Sequence, residues 1–406
     1  MAESKTPQLR FPEFKAAWDD REIGWFLERT SIAFQPNPDG QYREIGVRSH
    51  GRGLFHKDPV SGSSLGDKRV FHVVPNALVL NIVFAWEQAV AITTDKEEGF
   101  IASHRFPMFL ERDNRSYLPF IRELLLTNRG RRLLEIASPG GAGRNKTLGQ
   151  SEFLQLKVRL PRREEQIKIA AFLAAVDDKT SALRTKYDLL TTYKRGIVQK
   201  IFSRSLRFKS DKGADFPDWK PARLGDIADF LKGKGVSKAD TESGGQTPCI
   251  RYAELYTSYG QIIDEPISKT SEDQSSLLLS EGGEVIVPAS GESAEDIATF
   301  AYVARAGVAL GSDLNVIRAR GVSGEFLARF LSGFRRVQIA KLAQGNSVVH
   351  LYAGQLAQVT VEIPHSDEQE KICRFLAALD DKISSVAQQV SHTENFKKGL
   401  VQQMFA

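Results

Sequence analysis

Residues 161–202 of this chain return at 364–405, displaced by 203 positions without a gap, and 18 of the 42 aligned positions are identical. Glu165, Gln166, Lys168, Ile169, Phe172, Leu173, Ala174, Ala175, Asp177, Asp178 and Lys179 all have counterparts in the second copy. Each copy opens on a proline and acidic residues, which suit a helix N-terminus through fixed φ and the helix dipole. Apolar residues then recur every seven positions, the spacing of a coiled-coil seam. In the first copy the series is Ile169, Val176, Leu183, Leu190 and Ile197, with Phe172 beside it. In the second it is Ile372, Leu379, Val386 and Leu400, with Phe375 beside it. Such a stripe needs covering, and the most economical cover for each helix is the other copy.

About 38 helical residues from 165 to 202 would make a rod of roughly 57 Å. Thr393 interrupts the second heptad series. Gly196 and Gly399 each cost a helix interior about 1 kcal/mol. Their recurrence at one place predicts a packing or bending role.

The doubling extends beyond the helices. The opening Leu9-Arg10-Phe11 and Trp18 are echoed by Leu206-Arg207-Phe208 and Trp219, ahead of Ile23-Gly24 and Leu224-Gly225. Strand signals follow at 42–47, 69–74, 77–84 and 99–109, then a helix at 116–137; the second half has strands at 247–253, 283–288 and 307–319, then a helix at 324–342. The order of elements agrees while the residues hardly do. The expectation is an α+β, internally duplicated chain. Its parts are a first domain at 1–160, a central helix at 161–205, a second domain at 206–363 and a C-terminal helix at 364–406. Antiparallel pairing of the long helices would place the two α/β domains at opposite ends, related by a pseudo-two-fold axis. Helices kept alike and domains allowed to differ point to one scaffold carrying two distinct readers.

Composition removes several classes of function. The longest apolar run, 77–86, is interrupted by Asn81 and is too short to span a bilayer. With no apolar core of a signal peptide at the start, a cytoplasmic protein with no membrane partner is expected. Cys249 and Cys373 lack metal-ligand spacing and read as reduced thiols; His50, His56, His72 and His104 share one domain without ligand spacing either, so no metal site is expected. Asp177-Asp178 and Asp380-Asp381 are adjacent helical carboxylates pointing about 100° apart, so they cannot share a catalytic site. Local ion pairs with Lys179 and Lys382 are expected instead. Gly51-Arg52-Gly53 and Gly233-Lys234-Gly235 lack the pattern of a phosphate loop. No methyltransferase or helicase motif is present, so neither catalysis nor a bound cofactor is expected of this chain.

A net charge of +5 and a pI near 9.0 permit nucleic-acid binding. The loops hold matching chemistry. Arg48, His50, Arg52 and Lys57 cluster around glycines in the first domain, and Arg144, Asn145 and Lys146 sit in a glycine-rich turn. The second domain offers Lys232, Lys234, Lys238, Arg251, Tyr252, Tyr256 and Tyr259, with Asn346, Ser347 and His350 near its end. Arg and Lys suit guanine edges and phosphates, and Asn suits adenine.

The twice-used P-x-x-x-E-Q-x-K-I-x-x-F-L-A-A-x-D-D-K helix, the LRFPEF…W opening, Ile250-Arg251-Tyr252-x-Glu254-Leu255-Tyr256 and the ending at 397–405 resemble the specificity subunit of a type I restriction-modification system. The resemblance covers essentially the whole chain. It implies two target-recognition domains, each reading one half of a bipartite, asymmetric double-stranded DNA target. It further implies that the paired helices set the spacer and dock two methyltransferase subunits holding S-adenosylmethionine. A restriction/translocase subunit using ATP and Mg would join them. Two other readings stand beside it: a self-contained nuclease or methyltransferase, and a scaffold whose domains bind proteins.

Overall fold

Residues 7–140, 146–241, 244–345 and 348–405 are described by a computed structural model. Both repeats are single long helices, Arg163–Phe202 and Ser366–Met404. The chain divides into two compact units, residues 1–183 with 388–406, and residues 184–387. Each unit therefore combines one domain with half of each long helix. Among the described residues, no helix is long and apolar enough to cross a membrane.

In the first unit a four-stranded sheet runs in the order Val90–Ile92, Leu78–Leu80, Met108–Glu111, Leu27–Thr30, beside a three-stranded sheet of Ile101–Ser103, Val70–His72 and Ala33–Phe34. The second unit has a five-stranded sheet in the order Ala228–Lys232, Leu314–Ala319, Glu284–Pro288, Ala301–Val303, Ile262–Ile263. The expected strands at 99–109 and 307–319 are each two strands in different sheets, because a turn breaks both runs. The expected helix at 116–137 is also two, Leu118–Leu126 and Asn128–Ile136. Thr127 separates them: extended at ψ 165°, it accepts the Gly130 amide on its hydroxyl and starts a second helix. The corresponding helix of the second domain is Gly324–Phe330, a π-turn Leu331–Arg335, and Arg336–Ala340.

The repeated sequence motifs are the parts that fasten each domain to its helix. Glu165 is 1% exposed and accepts both Nε and Nη2 of Arg10 at 2.7 Å and the Trp18 indole N–H at 3.2 Å. Glu368 is fully buried and accepts Arg207 at 3.1 and 2.8 Å and the Trp219 indole at 3.0 Å. Hydrogen bonding to these carboxylates raises the pKa of both guanidiniums. Gln166 accepts the Tyr117 amide and donates to the Pro161 carbonyl; Gln369 does the same for Ser323 and Pro364. Phe11 packs edge-on to Phe172 at 5.8 Å, as Phe208 does to Phe375 at 5.6 Å.

Within each unit the helix halves run antiparallel. Asp177 meets Lys397 at 2.6 Å in the first, and Asp380 meets Lys194 in the second. Asp177 and Asp380 thus bond across helices, where local pairs with Lys179 and Lys382 were expected. The apolar seam is also less continuous than its heptads predict. Ile169 and Val176 are buried with Leu400 in the first domain's core, and Ile372 is buried in the second's, with Phe172 and Phe375 packed on these cores. Leu379 and Val386 are buried too. Leu183, Leu190 and Ile197 are only half-buried, and no residue from 181 to 197 is fully covered. Domain side chains bury the helix ends; along the middle, charged and apolar residues share the seam. A methyl group placed on Gly196 or Gly399 would have nothing within 4 Å, so neither glycine packs against this chain.

Candidate nucleic-acid interface

The strands Ile45–Val47 and Leu54–His56 form an antiparallel hairpin whose tip, 48–53, carries three of the basic residues singled out by sequence. His50 and Gly51 take positive φ, +58° and +65°, so the tip turns tightly. The positive φ reserves Gly51 for glycine, and a methyl group there would also press on a Leu126 methyl at 2.6 Å. The tip backbone is held by amides of His50 and Gly51 donating to the Glu87 and Gln88 carbonyls at 2.7 and 3.0 Å. Ser49 Oγ donates to Glu87 at 2.8 Å, and Arg122 donates to the Gly51 carbonyl at 3.0 Å. An anchored backbone presents Arg48, His50 and Arg52 to solvent.

Arg48 and Arg52 line one open cleft of about 380 Å³, together with Val47, Ser49, Phe55, Asn81, Phe84 and Phe106. The Arg48 guanidinium lies 5.0 Å over the Phe55 ring and donates to the Leu54 carbonyl at 2.6 Å, which fixes its direction. The Asn81 side-chain carbonyl accepts the Val83 amide at 3.1 Å, so that side chain is oriented as well. Guanidinium, carboxamide and phenyl groups, the exposed Phe84 among them, in one concave surface match the groups used to read base edges and to contact thymine methyls. Lys57 is not in this cleft: its ammonium pairs with buried Glu44 at 3.2 Å and braces the hairpin. Lys146 sits 5.4 Å over the Trp86 ring. Arg144 and Asn145 lie outside the described residues.

In the second domain more of the sequence-derived set is engaged in contacts within the fold. Arg251 donates through Nε and Nη2 to one Glu254 oxygen, Oε1, at 3.0 and 2.6 Å, and its amide donates to the other, Oε2, at 2.9 Å. Tyr252 and Tyr259 pack on the core of Ile250, Leu255 and Ile263, and the Tyr259 hydroxyl accepts the Ile267 amide at 2.8 Å. Burial pushes the Tyr259 hydroxyl up to about 12. These three residues hold the fold, because the motif's own glutamate takes up the arginine and the tyrosines cover apolar neighbours. Burial also raises the pKa of Tyr256, and Glu292 and Asp296 add to the rise. An acidic neighbourhood disfavours phosphate there. Lys232, Lys234 and Lys238 are exposed at and beyond the end of the strand Ala228–Lys232. Gly233, between the first two, comes so close to the Gly311 carbonyl that a methyl would lie 2.0 Å from it. His350 is exposed and stacks on Tyr352 at 6.2 Å. Asn346 and Ser347 lie outside the described residues.

Sequence reading missed Phe55, Asn81, Phe84 and Phe106 as cleft residues. The one available signal was Asn81 itself, a polar break in an otherwise apolar run.

Comparison with known proteins agrees with this architecture. Residues 217–391 match the family described as Type I restriction modification DNA specificity domain. The chain is 21% identical over 271 residues to the type I restriction enzyme MjaVIII specificity subunit of Methanocaldococcus jannaschii, a match spanning 61% of this chain and 61% of that protein. Among solved structures, the HsdS subunit from Thermoanaerobacter tengcongensis superposes with a TM-score of 0.54 at 16% identity, over 97% of this chain and 98% of that one. The type I S subunit from M. genitalium does so with a TM-score of 0.59 at 15% identity, over 99% of each chain. Residues 217–391 thus match a type I restriction modification DNA specificity domain, and the chain shares the fold of type I S subunits along nearly its whole length.

Proposed function

We propose that this chain is the non-catalytic subunit that selects the DNA target of a type I restriction-modification complex, each domain reading one half of a bipartite double-stranded site. The observation that carries this reading is the contrast between fastening and reading surfaces. Glu165 and Glu368 hold the same arginine and tryptophan partners in both units, whereas the Arg48–Phe55 tip has no counterpart of like sequence in the second domain. Identical attachment with dissimilar readers fits an asymmetric target.

The helices also offer a candidate partner surface, with an exposed apolar pair at the repeat-related positions. Phe172, Ala175, Val176, Lys179, His392 and Phe396 line an open groove of about 430 Å³. The positions related to His392 and Phe396 by the repeat are Leu189 and Tyr193, which are 65% and 52% exposed. Exposed apolar residues at repeat-related places on both helices are consistent with two copies of one partner, and the methyltransferase subunits, with their S-adenosylmethionine, fit that role. The restriction subunit, with ATP and Mg, would complete the assembly.

The test is genome-wide methylation sequencing of a host carrying this chain and its neighbouring methyltransferase, with parallel cultures lacking the chain or carrying Arg48→Ala/Arg52→Ala. Loss of a bipartite methylated motif without the chain is expected. The double variant is expected to relax one half-site only, at about 1–3 kcal/mol for each lost base contact. Unchanged methylation without the chain, with the partner active, would leave the protein-scaffold reading.

A further inference from the structure

The interhelical Asp–Lys pair occurs twice, and the domains meet it with opposite charge. In the first unit Lys397 bonds Asp177 at 2.6 Å and Glu123 of the domain at 3.3 Å, while Glu123 also holds Arg122 at 2.6 Å. In the second, Asp380 bonds Lys194 and, at 2.8 Å, Arg329 of the domain, which also holds Glu325 at 2.9 Å. Asp177 and Asp380 are repeat partners, as are Lys194 and Lys397. Glu123 and Arg329 occupy one position: each lies six residues after the amide, Tyr117 or Ser323, that caps on Gln166 or Gln369. Each network is a chain of four alternating charges, with the sign inverted from one unit to the other.

Glu123 and Arg329 are buried, the latter 2% exposed, so neither could sit unpaired without a large desolvation cost. An ordinary ion pair would oblige both domains to bring the same sign. We propose that the helix-borne Asp–Lys pair is a two-signed docking socket, accepting a recognition domain that carries either an acid or a base at this position. An acid takes the lysine, a base takes the aspartate, and the domain's own counter-ion closes the chain. The helices can therefore stay constant while the domain surface pressed against them changes sign, which frees domain sequence to diverge at a buried contact.

The experiment inverts the domain side alone in the full-length chain, with Arg122→Glu/Glu123→Arg and, separately, Glu325→Arg/Arg329→Glu. Their thermal midpoints are compared with those of Lys397→Asp and Asp380→Lys, which give the socket one sign, and of Glu123→Gln as a neutral control. Both domain inversions are expected to stay within about 2 °C of the parent, while the socket reversals fall by more than about 5 °C. Arg122→Glu/Glu123→Arg is also expected to restore most of the loss in Lys397→Asp. If a domain inversion falls as far as the socket reversals, or fails to fold while Glu123→Gln folds, the socket is not two-signed and the proposal is overturned.

Discussion

Glu165 shows how much one buried side chain holds together. Its two oxygens take an arginine fork and an indole N–H from the opening segment, at a position 1% exposed. Removing the carboxylate strands a guanidinium and an indole away from water. Glu165→Ala should therefore lower stability by about 3 kcal/mol, read as a shift of the urea midpoint by tryptophan fluorescence. Glu368→Ala should do the same for the second unit. The neighbouring Lys168–Glu13 pair is open to solvent and contributes little.

For the helices, glycines separate local geometry from packing. At Gly130 a methyl would lie 2.3 Å from the Leu124 carbonyl oxygen and 2.5 Å from the Leu125 Cα, both backbone atoms that cannot step aside. Gly130→Ala should destabilise the first unit by about 2 kcal/mol. Gly196, with open space around it inside a long helix, should behave oppositely. Gly196→Ala should add about 1 kcal/mol through helix propensity alone. Thermal unfolding of the two variants beside the parent checks both signs. The repeat of glycine at 196 and 399 suggested a packing or bending role, and the empty surroundings remove packing within the chain as the reason.

For the molecule as a whole, the proposed function makes helix length the ruler between half-sites. Seven residues inserted after Lys186 and seven after Gln389 would add one heptad to each helix, about 10.5 Å. Methylation mapping should then find the spacer lengthened by about three base pairs at 3.4 Å each, with both half-sites unchanged. Altered half-site bases would contradict the division of labour. The doubling, the extent and antiparallel sense of the long helices, and the separate recurrence of LRF…W and Glu-Gln were legible in the residues, because periodicity and repetition report which faces must be covered. That the two motifs bond to one another was not, nor was what covers those faces. Asp177 finds Lys397, 220 residues away, in place of Lys179 beside it, and Arg251 is consumed by Glu254. The cleft joins the hairpin at 47–55, a turn at 81–84 and Phe106. Those partnerships depend on how short strands from distant parts of the chain pack, and a one-dimensional pattern carries the burial of a side chain without the identity of its neighbour.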